Sequence, residues 1–265
     1  MRFSELIDAV RRSPVGLVIP AQWSQGRASF GGLVAALQYE AMRARVPADR
    51  PVRSLAITFV GPAAPDVPVS FQAEVLREGK AVSQVLGRAV QNGQVVTLVQ
   101  GSFGASRASE VEIAAAPAPQ MKHWDDCQEL PYIPGVTPEF MRHLAMRWSI
   151  GGLPFTGNTS REMGGWVRLR NEVDAQPLSE AYILALVDAW PPVSLGLMQG
   201  PAPASSLTWT LELLPQTQTF SGSDWWSYLA NIEHGADGYH HIEAKCWAPD
   251  GSLMAISRQT VTVFA

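Results

Sequence analysis

Cysteine is nearly absent. Cys127 and Cys246 are the only two in 265 residues, far apart in the chain and at no metal-ligand spacing. This excludes a disulfide scaffold or a thiolate metal site, and it fits inert thiols in a reducing compartment. Charge is scarce as well: charged residues make up 17% of the chain against 46% hydrophobic. No block of five or six like charges occurs. A net charge of −4 and a pI near 5.7 argue against a nucleic-acid partner. No run reaches the about 18 apolar residues that a membrane span needs. Met1–Ile7 starts a short amphipathic helix and lacks the basic head and long apolar stretch of a secretion signal. The expectation is a soluble cytoplasmic protein with no membrane partner. A Gly-x-Ser-x-Gly elbow, a Gly-rich phosphate loop and a Cys-x-x-Cys pair are all missing. So little charge leaves a surface that is hard to solvate, which predicts a large buried interface and at least a homodimer.

The length allows one large domain or two of about 130 residues, and what is present points to two. Phe30-Gly31-Gly32 precedes an amphipathic stretch, Leu33–Val46, and then an alternating run, Arg53–Phe59. The same order returns later, with a helical stretch Ser179–Trp190 followed by alternation through Ser205–Leu211. Ser54-Leu55 and Thr58 lie opposite Ser206-Leu207 and Thr210, and the turn Asn92-Gly93 lies opposite Asp250-Gly251. Each turn leads into one last hydrophobic strand. A unit used twice implies a gene-fused pseudo-dimer, in which one copy can carry chemistry and the other only shape.

The first unit has strand candidates at Val15–Pro20, Arg53–Val60, Val69–Arg77, Val82–Gln91 and Val95–Phe103. Asn92-Gly93 is a strong hairpin signal because both residues tolerate positive φ. Residues 106–142 break the pattern. Ala114–Pro119 has linker composition, and Gln128–Pro138 reads as an extended crossing segment pinned by its aromatics. The second unit has strands at Met146–Ile150, Gly165–Arg170, Ser205–Leu214, Trp225–Glu233, His240–Trp247 and Leu253–Phe264. Its helix starts at Pro177-Leu178-Ser179, with Ser179 or its neighbour as N-cap, and stops at Pro191-Pro192. Gly151-Gly152 and Gly164-Gly165 read as turns. The division is therefore 1–105, 106–142 and 143–265. The fold class is α+β, each unit an antiparallel sheet wrapped around one long helix that buries its apolar stripe.

With these elements placed, the chain resembles the double-hotdog acyl-CoA thioesterase II (TesB-like) family. The markers are Phe30-Gly31-Gly32 opening the first helix, Val52-Arg53-Ser54-Leu55 running into Phe59-Val60-Gly61-Pro62, and Asp250-Gly251 followed by Ser257-Arg258-Gln259. Arg53 and Ala56 depart from the histidines common in that family. The resemblance covers nearly the whole chain and implies two tandem hotdog units. It also implies hydrolysis of acyl-CoA thioesters by an Asp, a Thr or Ser, and a Gln that hold one water, with no metal or organic cofactor. The Asp maps to Asp188 and the Gln to Gln259. The hydroxyl falls within Ala204-Ser205-Ser206. Ser206 is the preferred position and Ser205 lies close behind, while a register that places Ala204 there leaves the set incomplete.

The residues support this on their own terms. Asp188 is the only charged residue from Ala181 to Trp190 and shares a helix face with Leu184 and Ala181. A carboxylate on a buried face is costly unless it is paired or hydrogen-bonded. The alternative is a helix-end carboxylate capping the turn at Pro191-Pro192, although Asp is unfavourable near a helix C-terminus. Gln259 stands in an otherwise apolar and hydroxyl-rich strand, where its amide can both donate and accept. In the first copy, Asp188 faces roughly Ala36 and Gln259 faces Gly101, so that copy lacks both groups. Ser206, Thr208 and Thr210 are expected on one strand face. Gly31-Gly32 could offer helix N-terminal N–H groups to an anion, or could simply pack. His234, His240 and His241 read as edge-strand histidines near a hairpin, and Trp225-Trp226 as a rim or interface anchor. An acyl chain is expected between helix and sheet, beside Leu184 and Trp209. Two rivals stand against a thioesterase. One is a non-catalytic acyl-CoA or lipid-like ligand binder on the same fold. The other is a hotdog hydratase, which needs an Asp and a His at a helix start that the sequence does not provide.

Overall fold

The computed structural model of the chain describes residues 1–172, 178–215 and 218–264. The first half contains helix α1 (Phe3–Arg12), strand β1 (Leu17–Val18), the small ribbon β2 (Ser24–Gln25) and β3 (Ala28–Ser29), and helix α2 (Gly31–Arg43). Strands β4 (Val52–Phe59), β5 (Pro68–Glu78), β6 (Val82–Gln91) and β7 (Gln94–Gly104) follow. The second half contains β8 (Leu144–Ile150), β9 (Glu162–Leu169), α3 (Glu180–Asp188) and the single turn α4 (Ser194–Leu197). It closes with β10 (Ala204–Leu213), β11 (Trp226–Ala236), β12 (Tyr239–Trp247) and β13 (Leu253–Val263). Among the described residues no helix is long and apolar enough to cross a membrane.

Eleven strands join in one sheet, in the order β1-β5-β6-β7-β4-β10-β13-β12-β11-β9-β8. The antiparallel pair β4–β10 sits at the centre, with Ile57 opposite Trp209 and Leu55 opposite Leu211. On either side the order runs outward through the last strand of each half, β7 or β13, and then its hairpin partner, β6 or β12. Asn92 and Gly93 have φ of 52° and 75°, the backbone that a two-residue hairpin between β6 and β7 requires. Alternation along β13 buries Leu253, Ala255, Ser257, Val261 and Val263 and leaves Ile256 and Arg258 outside.

Helix α2 is buried from Gly32 to Met42, and α3 from Ala181 to Val187, which is why both sequences are apolar all round rather than striped. α2 packs on β5, β6 and β7, and α3 on β9, β12 and β13. The two helices lie antiparallel against each other. The start of α2 meets the end of α3 at Gly31 and Asp188, and Tyr39 and Glu40 of α2 meet Glu180 and Ser179 at the start of α3. The Tyr39 hydroxyl donates to Glu180 Oε2 at 2.9 Å. Buried Glu40 accepts both Nε and Nη2 of Arg11 from α1, at 2.8 and 2.9 Å. A buried carboxylate so fully bonded ties three helices together, whereas an unpaired one would disfavour folding.

Several local expectations are corrected. Ser179 occupies the N-cap position of α3 but caps no backbone N–H; its hydroxyl donates to Glu40 Oε1 at 2.7 Å instead. Pro177, assigned to the helix start, lies outside the described residues. Gly164 and Gly165 form no turn but sit inside β9, between β8 and β11. A Cβ there would come within 2.3 Å of the Tyr228 carbonyl oxygen or 2.1 Å of the Arg147 one, so close backbone approach demands glycine. His234, His240 and His241 lie on the β11–β12 hairpin, but neither strand is an edge: β12 is flanked by β13, and β11 by β9. Trp226 is no rim anchor, being fully buried in the core. Trp225 is buried beneath the guanidinium groups of Arg147 and Arg168, 5.1 and 4.4 Å from its ring centroid. The segment between the halves is held chiefly outside the Gln128–Pro138 stretch whose aromatics are expected to pin it; within that stretch the Leu130 N–H donates to the Met146 carbonyl at 2.9 Å and the Tyr132 hydroxyl donates to Glu139. Trp124 stacks on Trp225, Phe140 stacks on Phe30 at 4.1 Å, and Trp166 Nε1 donates to the Lys122 carbonyl at 2.9 Å.

Candidate active site

The apolar sequence of α3 forces its backbone into the core and carries Asp188 in with it. Every residue from Ala181 to Trp190 is buried except Asp188, which alone keeps some access to solvent. From the neighbouring strand β13, Gln259 points inward with Ser257 and Val261 and donates from Nε2 to Asp188 Oδ1 at 2.8 Å. The two groups singled out from sequence are therefore in direct contact, although 71 positions separate them.

The third wall comes from the first half of the chain. The carboxylate of Asp188 lies against the first turn of α2. A Cβ on Gly31 would stand 3.0 Å from Asp188 Oδ2 and 3.1 Å from the Phe59 ring. One on Gly32 would stand 2.6 Å from the Phe30 ring and 2.9 Å from Asp188 Cβ. Glycine is required at Gly32 because a side chain would displace either the ring or the acid. A helix N-terminus carries a partial positive charge and unsatisfied N–H groups, so this placement favours the ionised acid.

Burial opposes it and is the larger effect. It pushes the Asp188 pKa up to about 7, against the lowering effects of the Gln259 amide and the Gly32 backbone. Tyr228 is close enough that the Asp188 charge adds to the effect of burial in raising its own pKa. Tyr228 stacks on Trp190, whose ring meets Trp148, each pair with centroids 5.0 Å apart. These three aromatics wall the end of α3. Sequence reasoning missed them because they come from three elements at no regular spacing. A carboxylate half-ionised near neutral pH, open to solvent on one side and fixed by an amide, can take a proton from a water.

Ser206 lies on β10 opposite Val261, on the inward face and two residue pairs along from Trp209–Gln259. It is half-buried, and its hydroxyl makes no hydrogen bond among the described residues, to Asp188 and Gln259 included. Ser205 pairs with Thr262 and points outward, while Ala204 pairs with Val263 farther along the inward face. Thr208 and Thr210 do not share the Ser206 face as expected. A bulge between Ser206 and Thr208 absorbs Leu207 and reverses the alternation, so both threonines are exposed on the outer face while Trp209 and Leu211 are buried. Trp209 and Leu184 are fully buried, and Trp209 Nε1 donates to Ser257 Oγ at 2.9 Å. Ala36 is fully buried, and a Cβ on buried Gly101 would meet Met42 Cε at 2.7 Å, so the first half has no equivalent acid or amide at either place.

Comparison with known proteins agrees with this geometry. The profile of the acyl-CoA thioesterase C-terminal domain matches residues 124–263, and that of the acyl-CoA thioesterase N-terminal domain matches residues 19–104. No curated protein matches the chain. Among solved structures, it is similar to a conserved hot dog fold protein of unknown function from Alicyclobacillus acidocaldarius, with a TM-score of 0.82 and 21% identity over 97% of this chain and 98% of that one. It is also similar to the acyl-CoA thioesterase II TesB2 of Mycobacterium marinum, with a TM-score of 0.75 and 18% identity over 99% and 98%. A third, the tesB protein of Mycobacterium avium subs paratuberculosis, gives a TM-score of 0.73 and 16% identity over 98% and 100%. At these identities the structural likeness speaks for the hotdog fold, and the family profiles speak for the chemistry. The chain belongs to the acyl-CoA thioesterase family and is a thioester hydrolase.

Proposed function

We propose that the protein hydrolyses acyl-CoA thioesters by direct attack of a water held by Asp188, Gln259 and Ser206. The observation that carries this reading is the 2.8 Å contact between the Gln259 amide and a carboxylate raised to about pKa 7. Ionised Asp188 takes a proton as the water oxygen bonds to the thioester carbonyl carbon. Gln259 Nε2 holds the acid, leaving its Oε1 to accept from the same water, and the Ser206 hydroxyl supplies a third contact. Oxyanion charge develops on the carbonyl oxygen and is met by N–H groups at the start of α2. The tetrahedral adduct collapses with cleavage of the carbon–sulfur bond. The thiolate then takes back the proton from Asp188, giving a carboxylic acid and free CoA. The route needs no covalent intermediate and no cofactor.

On the same reading the chain is two fused hotdog units, 1–105 and 143–265, joined by the pinned segment 106–142. The second unit contributes Asp188, Ser206 and Gln259, and the first contributes the glycine turn of α2. The mirrored strand order around β4–β10 supports this descent. The test is a panel of acyl-CoAs of graded chain length with a thiol reagent. Thiol release, lost in Asp188→Asn, supports hydrolysis. Saturable binding of the panel without thiol release would instead make the protein an acyl-CoA binder.

A further inference from the structure

The turn between β5 and β6, the start of β4 and the end of β7 gather five of the chain's 20 basic residues: Arg50, Arg53, Arg77, Lys80 and Arg107. The chain as a whole is acidic, with 24 Asp and Glu, so general basicity does not explain the cluster. Two adjoining grooves of about 750 and 670 Å³ share Val82 and Arg107 and are lined by Arg53, Arg77, Lys80 and Arg107, with no carboxylate in either wall. Volumes of this order suit a small-molecule ligand.

Two of the cations are held in place by hydrogen bonds. Arg53 donates from Nε to the Gly104 carbonyl at 3.0 Å and from Nη2 to Ser106 Oγ at 3.4 Å, which fixes its guanidinium at the rim. Arg50 lies behind the hairpin, buried, and donates to Ser83 Oγ at 2.6 Å and to the Lys80 carbonyl at 3.3 Å. Its Nε finds no partner among the described residues. Glu78 pairs with Arg50, at 3.9 Å. Arg53, Arg77, Lys80 and Arg107 form no ion pair among the described residues. Like charges gathered and left unpaired repel one another, and in a cleft they focus a field that draws anions. Guanidinium forks match phosphate oxygens two at a time.

We infer that this groove binds a phosphorylated small molecule at a site separate from the hydrolytic one. The two places lie at opposite ends of β4. Arg53 stands at its start and Phe59, which borders the Asp188 carboxylate, at its end, about 20 Å away at the rise of an extended strand.

The test titrates the full-length protein, its hydrolytic site kept saturated with CoA, with pyrophosphate and, separately, with adenosine 3′,5′-bisphosphate, read by calorimetry at low salt. One saturable site for either anion is expected. It should survive in Asp188→Asn and weaken at least tenfold in the double variant Lys80→Glu, Arg107→Glu, with KM for acyl-CoA changed less than twofold. Tenfold tighter binding of the bisphosphate would identify a nucleotide ligand, and equal binding would identify the phosphoryl group itself; both support the site. Absence of saturable binding, or equal binding by the correctly folded double variant, would overturn it. A rise in KM for acyl-CoA parallel to the loss of anion binding would overturn its separateness. Thiol release by the wild-type protein is measured independently, so failure here leaves the hydrolase reading untouched.

Discussion

Replacing Asp188 by Asn removes the charge of the site with almost no change of shape, and it isolates the cost of holding that charge. The carboxyl titrates at 3.8 in its ordinary state and at about 7 in the folded protein, because burial outweighs the Gln259 and Gly32 hydrogen bonds. A raised carboxyl pKa means that folding favours the protonated form. The penalty is absent below pH 3.8, grows as pH rises toward 7, and is constant above. Three units at about 1.4 kcal/mol each make the full penalty on the order of 4 kcal/mol. Between pH 5 and pH 8 the part still to come is on the order of 2–3 kcal/mol. The Asp188→Asn variant has no such dependence; whatever its amide gains or loses against the Gly32 N–H is the same at both pH values. Urea unfolding followed by tryptophan fluorescence should therefore show the variant gaining on the order of 2–3 kcal/mol on the wild type between pH 5 and pH 8. Thiol release by the wild type should rise to a plateau through an apparent pKa near 7. The variant should lose ~10²–10⁴ in kcat at pH 8, the usual contribution of a general base. Parallel stability curves for the two proteins would refute the buried-acid argument, and turnover within threefold of wild type would refute the base assignment.

Gln259→Ala removes a contact that favours the ionised acid. The acid limb of the pH–rate profile should move to higher pH and kcat should fall, while an unmoved limb would mean the amide does not reach the base. Ser206→Ala should lower kcat about tenfold, the worth of one hydrogen bond to the attacking water, and Ser205→Ala, on the outer face, should leave it unchanged; steady-state rates separate them. Gly32→Ala forces a methyl to within 2.6 Å of the Phe30 ring. It should cost about 1–3 kcal/mol in urea unfolding and lower kcat by shifting the acid. Arg11→Ala leaves Glu40, only 4% exposed, with the Ser179 hydroxyl alone. The loss should be about 1–2 kcal/mol in unfolding free energy, less than for a fully buried pair because Arg11 is itself half-exposed, with kcat preserved at temperatures where the protein stays folded.

Elements repeated at strand period were readable because burial on one face imposes alternation. β6 was placed to the residue, and β4, β5, β7, β12 and β13 to within two. Glycines misled wherever their purpose was steric. Gly164-Gly165 reads as a turn in sequence, and only the neighbouring carbonyl oxygens reveal that side chains are excluded from a continuous strand. The bulge after Ser206 was equally invisible, since Leu207 differs in no local way from a regular strand residue, yet it turns Thr208 and Thr210 away from the site. Asp188 and Gln259 were legible because a single polar residue in an apolar setting must be satisfied by something, and here each satisfies the other. Trp148, Trp190 and Tyr228 left no such trace: aromatic residues in an apolar chain need no explanation until three of them are found packed together beside an acid.

The helix pair explains how two ends of one arrangement diverge. α2 and α3 run antiparallel, so each end joins the start of one helix to the body or end of the other. At one end the start of α2 is glycine and the facing residue is Asp188, which among the described residues finds an amide and part of the solvent but no cation. At the other, α3 starts with Ser179-Glu180 against Tyr39-Glu40, and Arg11 arrives from α1 to form two hydrogen bonds to the carboxylate. At that end the carboxylate oxygens are taken up by the guanidinium and by the Ser179 hydroxyl. Asp188, left with an amide and burial, has its pKa raised to about 7 and can take a proton near neutral pH. On the proposed reading, α1 therefore does more than cover the helix pair. By delivering Arg11 to only one end, it makes that end structural, while the absence of any such cation leaves Asp188 available for a proton. Introducing a cation beside Asp188 should slow turnover by making the carboxylate a weaker base, and Phe59→Arg, from the ring that borders the Gly31 position, is the direct trial. The expected signature is an acid limb displaced to lower pH together with a kcat reduced at every pH. A variant that folds, binds acyl-CoA and keeps its rate would show that the raised pKa of Asp188 plays no part in hydrolysis.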